Sequence, residues 1–137
     1  MRAVLDTCIF ASALIRRKGK SGAVLLALRE GHFTVVYSTE ILVEIVDVLG
    51  RDIFRVKYHV QPDDAKALID LIRLRGELVI PHQKVNACRD PKDNKFLEAA
   101  LTGGADYIVT ADSDLLVMDS FEGIPILRSS EFLALLK

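Results

Sequence analysis

Short apolar runs alternate along the chain with stretches of helical period. Arg2 to Leu5 reads as a buried strand, followed by a helical stretch around Phe10 to Ile15. Ser21 to Glu30 has the pattern of a helix, with Ser21 as N-cap and Gly31 as the C′ stop. Phe33 to Tyr37 is β-branched and aromatic, which predicts a second strand. From Thr39 to Leu49, the residues Ile41, Leu42, Ile45, Val46 and Leu49 recur at the spacing of one buried helical stripe. Pro62 opens a further helix that runs to about Arg75, with acids in its first turn, bases in its last and Gly76 beyond, as the helix dipole favours. Glu77 to Ile80 predicts a third strand, and Asn94 to Thr102 a helix ended by Gly103. Tyr107 to Val109 is the fourth strand, Ile124 to Leu127 a fifth, and Ser130 to Leu136 a closing helix. Strands separated by helices pair in parallel through right-handed crossovers. The expected fold is therefore α/β, a three-layer α/β/α sandwich with a central, mostly parallel sheet of four to five strands. No linker or repeat divides residues 1–137, which predicts one domain.

Half of the 137 residues are apolar and 27% are charged, the balance of a compact globule rather than a disordered chain. No apolar run nears the roughly 20 residues that span a bilayer, and Asp6 interrupts the N-terminal apolar stretch that a secretory signal would need. A cytoplasmic protein with no membrane association is expected. Cys8 and Cys88 form no C-x-x-C pair and read as reduced, buried thiols, with a disulfide between them as the lesser alternative. A net charge of −1 argues against a broadly basic surface. It leaves room for a local one: Arg16-Arg17-Lys18-Gly19-Lys20 is either a solvated turn or a loop that steers phosphate. His32, His59 and His82 show no metal-ligand spacing and read as surface or packing residues.

Asp6 directly follows the first strand, and Asp112 follows the fourth with Asp114 two residues further on. A carboxylate just past the C-terminal end of a buried parallel strand points into the crevice where open α/β sheets hold ligands. Asp90 and Asp93 flank a turn before the helix that opens at Asn94, and Asp93 stands where an N-cap would. Capping and ligation are both open to it. Glu44 lies at the border of its helix's buried stripe, either a rim charge or a group aimed at the strand ends. Asp114 reads as an auxiliary ligand or as the cap of a short turn over Leu115 to Met118. Two carboxylates about 4 Å apart repel by roughly 4 kcal/mol at an effective dielectric near 20, so gathering four of them calls for a hard cation. All-oxygen ligands favour Mg²⁺ or Mn²⁺ over Zn²⁺.

Leu5-Asp6-Thr7, Glu44, the run Asp90-Pro91-Lys92-Asp93-Asn94-Lys95-Phe96 and the run Thr110-Ala111-Asp112-Ser113-Asp114-Leu115-Leu116 together resemble the PIN-domain family. The closest pattern is that of VapC-like toxin ribonucleases of toxin–antitoxin modules. The resemblance implies an α/β/α fold and a Mg²⁺- or Mn²⁺-dependent endoribonuclease acting on single-stranded RNA, leaving 5′-phosphate and 3′-hydroxyl ends. It places the acidic quartet on Asp6, Glu44, Asp93 and Asp112, with Asp114 as auxiliary acid, Glu44 being a ligand or the orienter of the attacking water. Thr110 is then the hydroxyl that fixes the site, with Thr7, Asp90 and Asn94 in support. Arg16, Arg17, Lys20 and Lys95 are the expected RNA-backbone contacts. A homodimer and a cognate antitoxin are the implied partners. The sequence departs from the pattern at Cys8, where the family commonly carries Asn, and a thiol cannot supply the amide's hydrogen bonds. That departure supports the alternative of a catalytically degenerate PIN fold serving as a protein-binding module.

Other α/β enzymes fit less well. A haloacid-dehalogenase phosphatase needs Asp-x-Asp where Cys8 fills the second place, and a response-regulator receiver needs an acidic pair where Asp6 stands alone. A Rossmann loop is unsupported, because Gly103-Gly104 ends a helix rather than opening one.

Overall fold

A computed structural model describes residues 1–136. The strands are β1 (Arg2–Leu5), β2 (Thr34–Tyr37), β3 (Gly76–Leu78), β4 (Tyr107–Val109), β5 (Ser120–Phe121) and β6 (Ile124–Leu127). The helices are α1 (Thr7–Ile15), α2 (Lys20–Arg29), α3 (Thr39–Leu49), α4 (Asp52–Val56), α5 (Pro62–Arg75), α6 (Asn94–Gly103), α7 (Ser113–Leu116) and α8 (Ser129–Leu135). The sheet runs β3-β2-β1-β4-β6-β5. All neighbouring strands are parallel except β5, which folds back on β6. From β1 the chain steps outward through β2 to β3, then crosses to β4 on the other side, so the strand order reverses between β1 and β4. That reversal opens a crevice at the carboxyl ends of those two strands.

Register assigns the layers. Ala3 stands level with both Val35 and Tyr107, so these three share one face, and their neighbours Val4, Val36 and Ile108 share the other. α6 covers the second face, and its Gly103 comes so close to β2 that a Cβ there would lie 2.4 Å from Val36 Cγ1. α8 covers the first face, where Phe132 meets Phe33 edge-on with ring centroids 5.0 Å apart and also meets Tyr107. α2 packs on α8, completing a three-layer sandwich whose core runs through both faces. No helix among the described residues is long and apolar enough to cross a membrane.

Several expectations change in detail. The sixth strand, β5, is two residues long and enters a tight ribbon through left-handed backbone at Asp119, Glu122 and Gly123, too short for periodicity to reveal. β3 begins at Gly76 and stops at Leu78 rather than Ile80, because its partner β2 ends at Tyr37 and Ser38 turns to cap α3. α2 starts at Lys20 behind Gly19, so Ser21 is not its N-cap; the Ser21 hydroxyl lies 3.2 Å from that of Ser129. α6 includes Gly103, and the left-handed residue that stops it is Gly104. α3 seats itself along Ile41, Ile45 and Leu49, which leaves Val46 55% exposed and Leu42 half-buried.

Candidate metal centre

The two central strands end in the same local design. Asp6 keeps its backbone in the sheet, its N–H donating to the Val109 carbonyl at 2.9 Å, while its side chain turns into the crevice. There it caps α1, Oδ1 accepting the Cys8 N–H at 3.4 Å. Asp112 does the same for α7, its Oδ1 accepting the Asp114 N–H at 3.1 Å. With Asp112 as the cap, Asp114 is freed from the capping alternative. Thr110 ties the two ends together. Its fully buried hydroxyl donates to Asp6 Oδ2 at 2.6 Å and accepts the Asp112 N–H at 2.9 Å, while its own N–H donates to the Leu127 carbonyl at 2.9 Å.

Asp93 arrives from the side, at the end of a 3-10 turn over Pro91–Asp93. Asp90 caps that turn through the Lys92 N–H at 3.0 Å. Asn94, the first residue of α6, accepts the Ala87 and Cys88 N–H groups at 3.2 and 2.9 Å and pins the preceding loop. Asp93 stands at the N-cap position of α6 but caps nothing, because its backbone is already helical. Its carboxylate turns inward, and among the described residues its Oδ2 is the one buried side-chain oxygen or nitrogen without a hydrogen-bond partner.

One oxygen each from Asp93, Asp112 and Asp114 lies within 4.8 Å of the others. Burial, then the adjacent Asp112, then the charges of Asp6 and Asp90 push the Asp93 carboxyl up to about 7. Asp6 is also raised, by burial first, against the lowering effect of the Thr110 hydroxyl. Arg89 is the cation closest to Asp114, at 3.6 Å, but it is 80% exposed and compensates little. The group is rich in unbalanced negative charge and hard oxygen, and one of its oxygens is buried with nothing to bind. A divalent cation held by oxygen fits those donors.

Asp6 is not within this group of three, and neither is Glu44, which lies beside it. One of its oxygens is 3.1 Å from the Lys95 ammonium and the other accepts the Thr7 hydroxyl. Lys95, expected as an RNA contact, is 10% exposed and turned inward, also donating to the Lys92 carbonyl. Cys8 places its thiol 3.9 Å from the Thr110 hydroxyl; burial, then the Asp6 charge, push it up to about 12, so it stays neutral. Cys88 is likewise a free thiol, and the two cysteines are not joined. Arg16, Arg17 and Lys20 are exposed, and the Ser21–Ser129 contact sets their loop at the carboxyl edge of the sheet, because Ser129 stands two residues past the end of β6. Sequence reasoning missed Glu98, buried one turn beyond Asn94, whose carboxylate accepts the Val85 N–H at 2.9 Å. The signal was an acid at i+4 from Asn94, one turn further along the same helix face.

Comparison with known proteins bears on these residues. A family model described as PIN domain matches residues 2–114, a span that holds all five acids. The chain is also 31% identical over 116 residues to an uncharacterized protein of Methanocaldococcus jannaschii, an alignment covering 85% of this chain and 74% of that protein.

Proposed function

This chain belongs to the PIN-domain family, a family of nuclease fold, and from that premise we propose that it is a Mg²⁺- or Mn²⁺-dependent endoribonuclease of single-stranded RNA, the toxin component of a toxin–antitoxin pair, acting in the cytoplasm. The observation that carries the reading is the meeting of one oxygen each from Asp93, Asp112 and Asp114 within 4.8 Å, with Asp93 keeping a buried, unpartnered Oδ2. An acid kept only for structure would be capped or paired. Asp6, Asp93, Asp112 and Asp114 would hold the ion, which supplies Lewis-acid polarisation of a phosphodiester and of the attacking water.

The protein's own residues supply position. Thr110 holds Asp6 and the Asp112 backbone in one geometry through its single hydroxyl. Asn94 and Glu98 fix the loop that leads to Asp93. Arg16, Arg17 and Lys20 are exposed at the same edge of the sheet, where phosphates of a single strand would pass. Cys8 offers no amide, yet the acids around it are present and ordered without one. Exposed Val43 and Val46 on α3, with Ile53 and Val56 on α4, support a partner-facing surface for a second copy or an antitoxin; light scattering reads the first.

The test is cleavage of a mixed RNA pool with Mn²⁺ or Mg²⁺. Wild type is expected to cut it, leaving 5′-phosphate ends, while Asp6→Asn and Asp93→Asn do not. Equal activity in wild type and both variants would end this reading, and no Mn²⁺ binding together with no cleavage of any pool would return it to a protein-binding module.

A further inference from the structure

Glu44 and Lys95 form a unit to which metal ligation by the aspartates gives no task. The Lys95 ammonium is 3.1 Å from Glu44 Oε1, bonded to the Lys92 carbonyl, and 5.2 Å from the centre of the Phe96 ring. Burying an ammonium sacrifices hydration that a rim lysine would keep. A lysine serving only to neutralise a border glutamate would extend outward. This one is drawn inward until a tenth of its side chain is exposed.

The acids are thereby divided into two halves. Both oxygens of Glu44 have partners and its charge is balanced, whereas Asp93, which clusters with Asp112 and Asp114, keeps a bare oxygen. A divalent ion reaching Glu44 would have to displace the ammonium. Of the three donors on Lys95, two are used. The third is left for a ligand, and a cavity of about 310 Å³, lined by Lys84, Lys92 and Lys95 together with Glu40, Glu98 and Asn94, opens beside it. An ammonium is a compact point charge suited to a phosphate oxygen.

We infer that Lys95 is the second cation of this site. Its ammonium, positioned by Glu44, takes the place a second divalent ion would fill and donates to a non-bridging oxygen of the RNA phosphate, so that one metal ion binds per chain. The inference rests on the proposed nuclease reading. It makes Lys95 a catalytic residue and Glu44 a positioning residue, not a metal ligand.

The experiment is titration of the purified full chain with Mn²⁺, read by calorimetry and by electron paramagnetic resonance. Wild type and Lys95→Arg are expected to take one ion per chain and give an uncoupled six-line spectrum. Lys95→Met is expected to take a second ion, spin-coupled to the first, and to lose it again when Glu44→Gln is added. Glu44→Gln alone should leave the affinity for the first ion within about threefold, since Glu44 does not touch it. Two ions per chain in wild type overturn the inference while leaving the nuclease reading standing. So does a Lys95→Met protein that still takes one, or a Glu44→Gln protein whose first-ion affinity falls tenfold or more. No Mn²⁺ binding in wild type ends both.

Discussion

Replacing Asp93 by Asn separates a carboxylate kept for an ion from one kept for the fold. In the metal-free protein, the Asp93 oxygen lies within 4.8 Å of Asp112 and Asp114 oxygens. Two full charges at that distance repel by about 3–4 kcal/mol at an effective dielectric near 20. Burial first, and the adjacent Asp112 after it, push the Asp93 carboxyl up from its ordinary 3.8 to about 7. The amide relieves the repulsion but leaves a buried polar group, so a net gain of about 2 kcal/mol is expected, on the order of 6–10 °C in Tm for a domain of this size. The pH dependence follows from the direction of the shift. Between about pH 4 and pH 7 the native protein binds more protons at Asp93 than the unfolded chain does, so metal-free wild type loses stability as pH rises through that window. Asp93→Asn lacks that contribution. Calorimetric melting in EDTA at several pH values measures both effects. Mn²⁺ at a hundred times its Kd should then stabilise wild type by about 2.7 kcal/mol and the variant by almost nothing. A variant that melts below wild type in EDTA would refute the reasoning, because it would mean that Asp93 serves the helix terminus.

Thr110→Val removes the hydroxyl shared by Asp6 and Asp112 and leaves the Asp112 N–H without its acceptor, so denaturant unfolding should show a loss of about 1–3 kcal/mol. Thr110→Ser should recover most of it, and equal stability of Val and Thr would show the bridge to be idle. Cys8 and Cys88, pushed up to about 12 and about 11 by burial first, should resist iodoacetamide at pH 8 in the folded protein and react once it is unfolded, as mass spectrometry would report. Ready alkylation of native Cys8 would contradict the environment described for it. Exchanging Arg16, Arg17 and Lys20 together for Ala should weaken single-stranded RNA binding and make its salt dependence shallower by about 0.7 for each phosphate no longer neutralised, with Mn²⁺ affinity unchanged. Anisotropy at several salt concentrations measures this, and an unchanged slope would remove the loop from the RNA path.

What could be read before any coordinates were the features that depend on local pattern. β1, β4 and β6, α3 and α5 have the bounds that periodicity and caps imply. Asp6 and Asp112 could be placed at strand ends because an acid directly after an apolar run has few other places to go. The partnership of Lys95 with Glu44 was not legible, since it joins residues 51 positions apart by way of how α3 and α6 pack. For Asp93 the sequence left capping and ligation both open, since its position is that of a cap; its helical backbone removes the cap. The shape of α3 was overestimated at Val46 for a related reason: a stripe marks which residues can be buried, and the neighbouring helices decide how many are.

Asp93, Asn94 and Lys95 leave the start of α6 fanned about 100° apart from one residue to the next, and each reports to a different listener: the acid cluster, the loop before it, and Glu44. The far end of the same helix rests on Val36 through Gly103, about 15 Å away along the axis. A methyl group added at that distant seat would force Val36 or the helix to give, and a shift of the helix would carry all three side chains with it. Adjusting the start of α6 therefore requires no change in any residue that stands there.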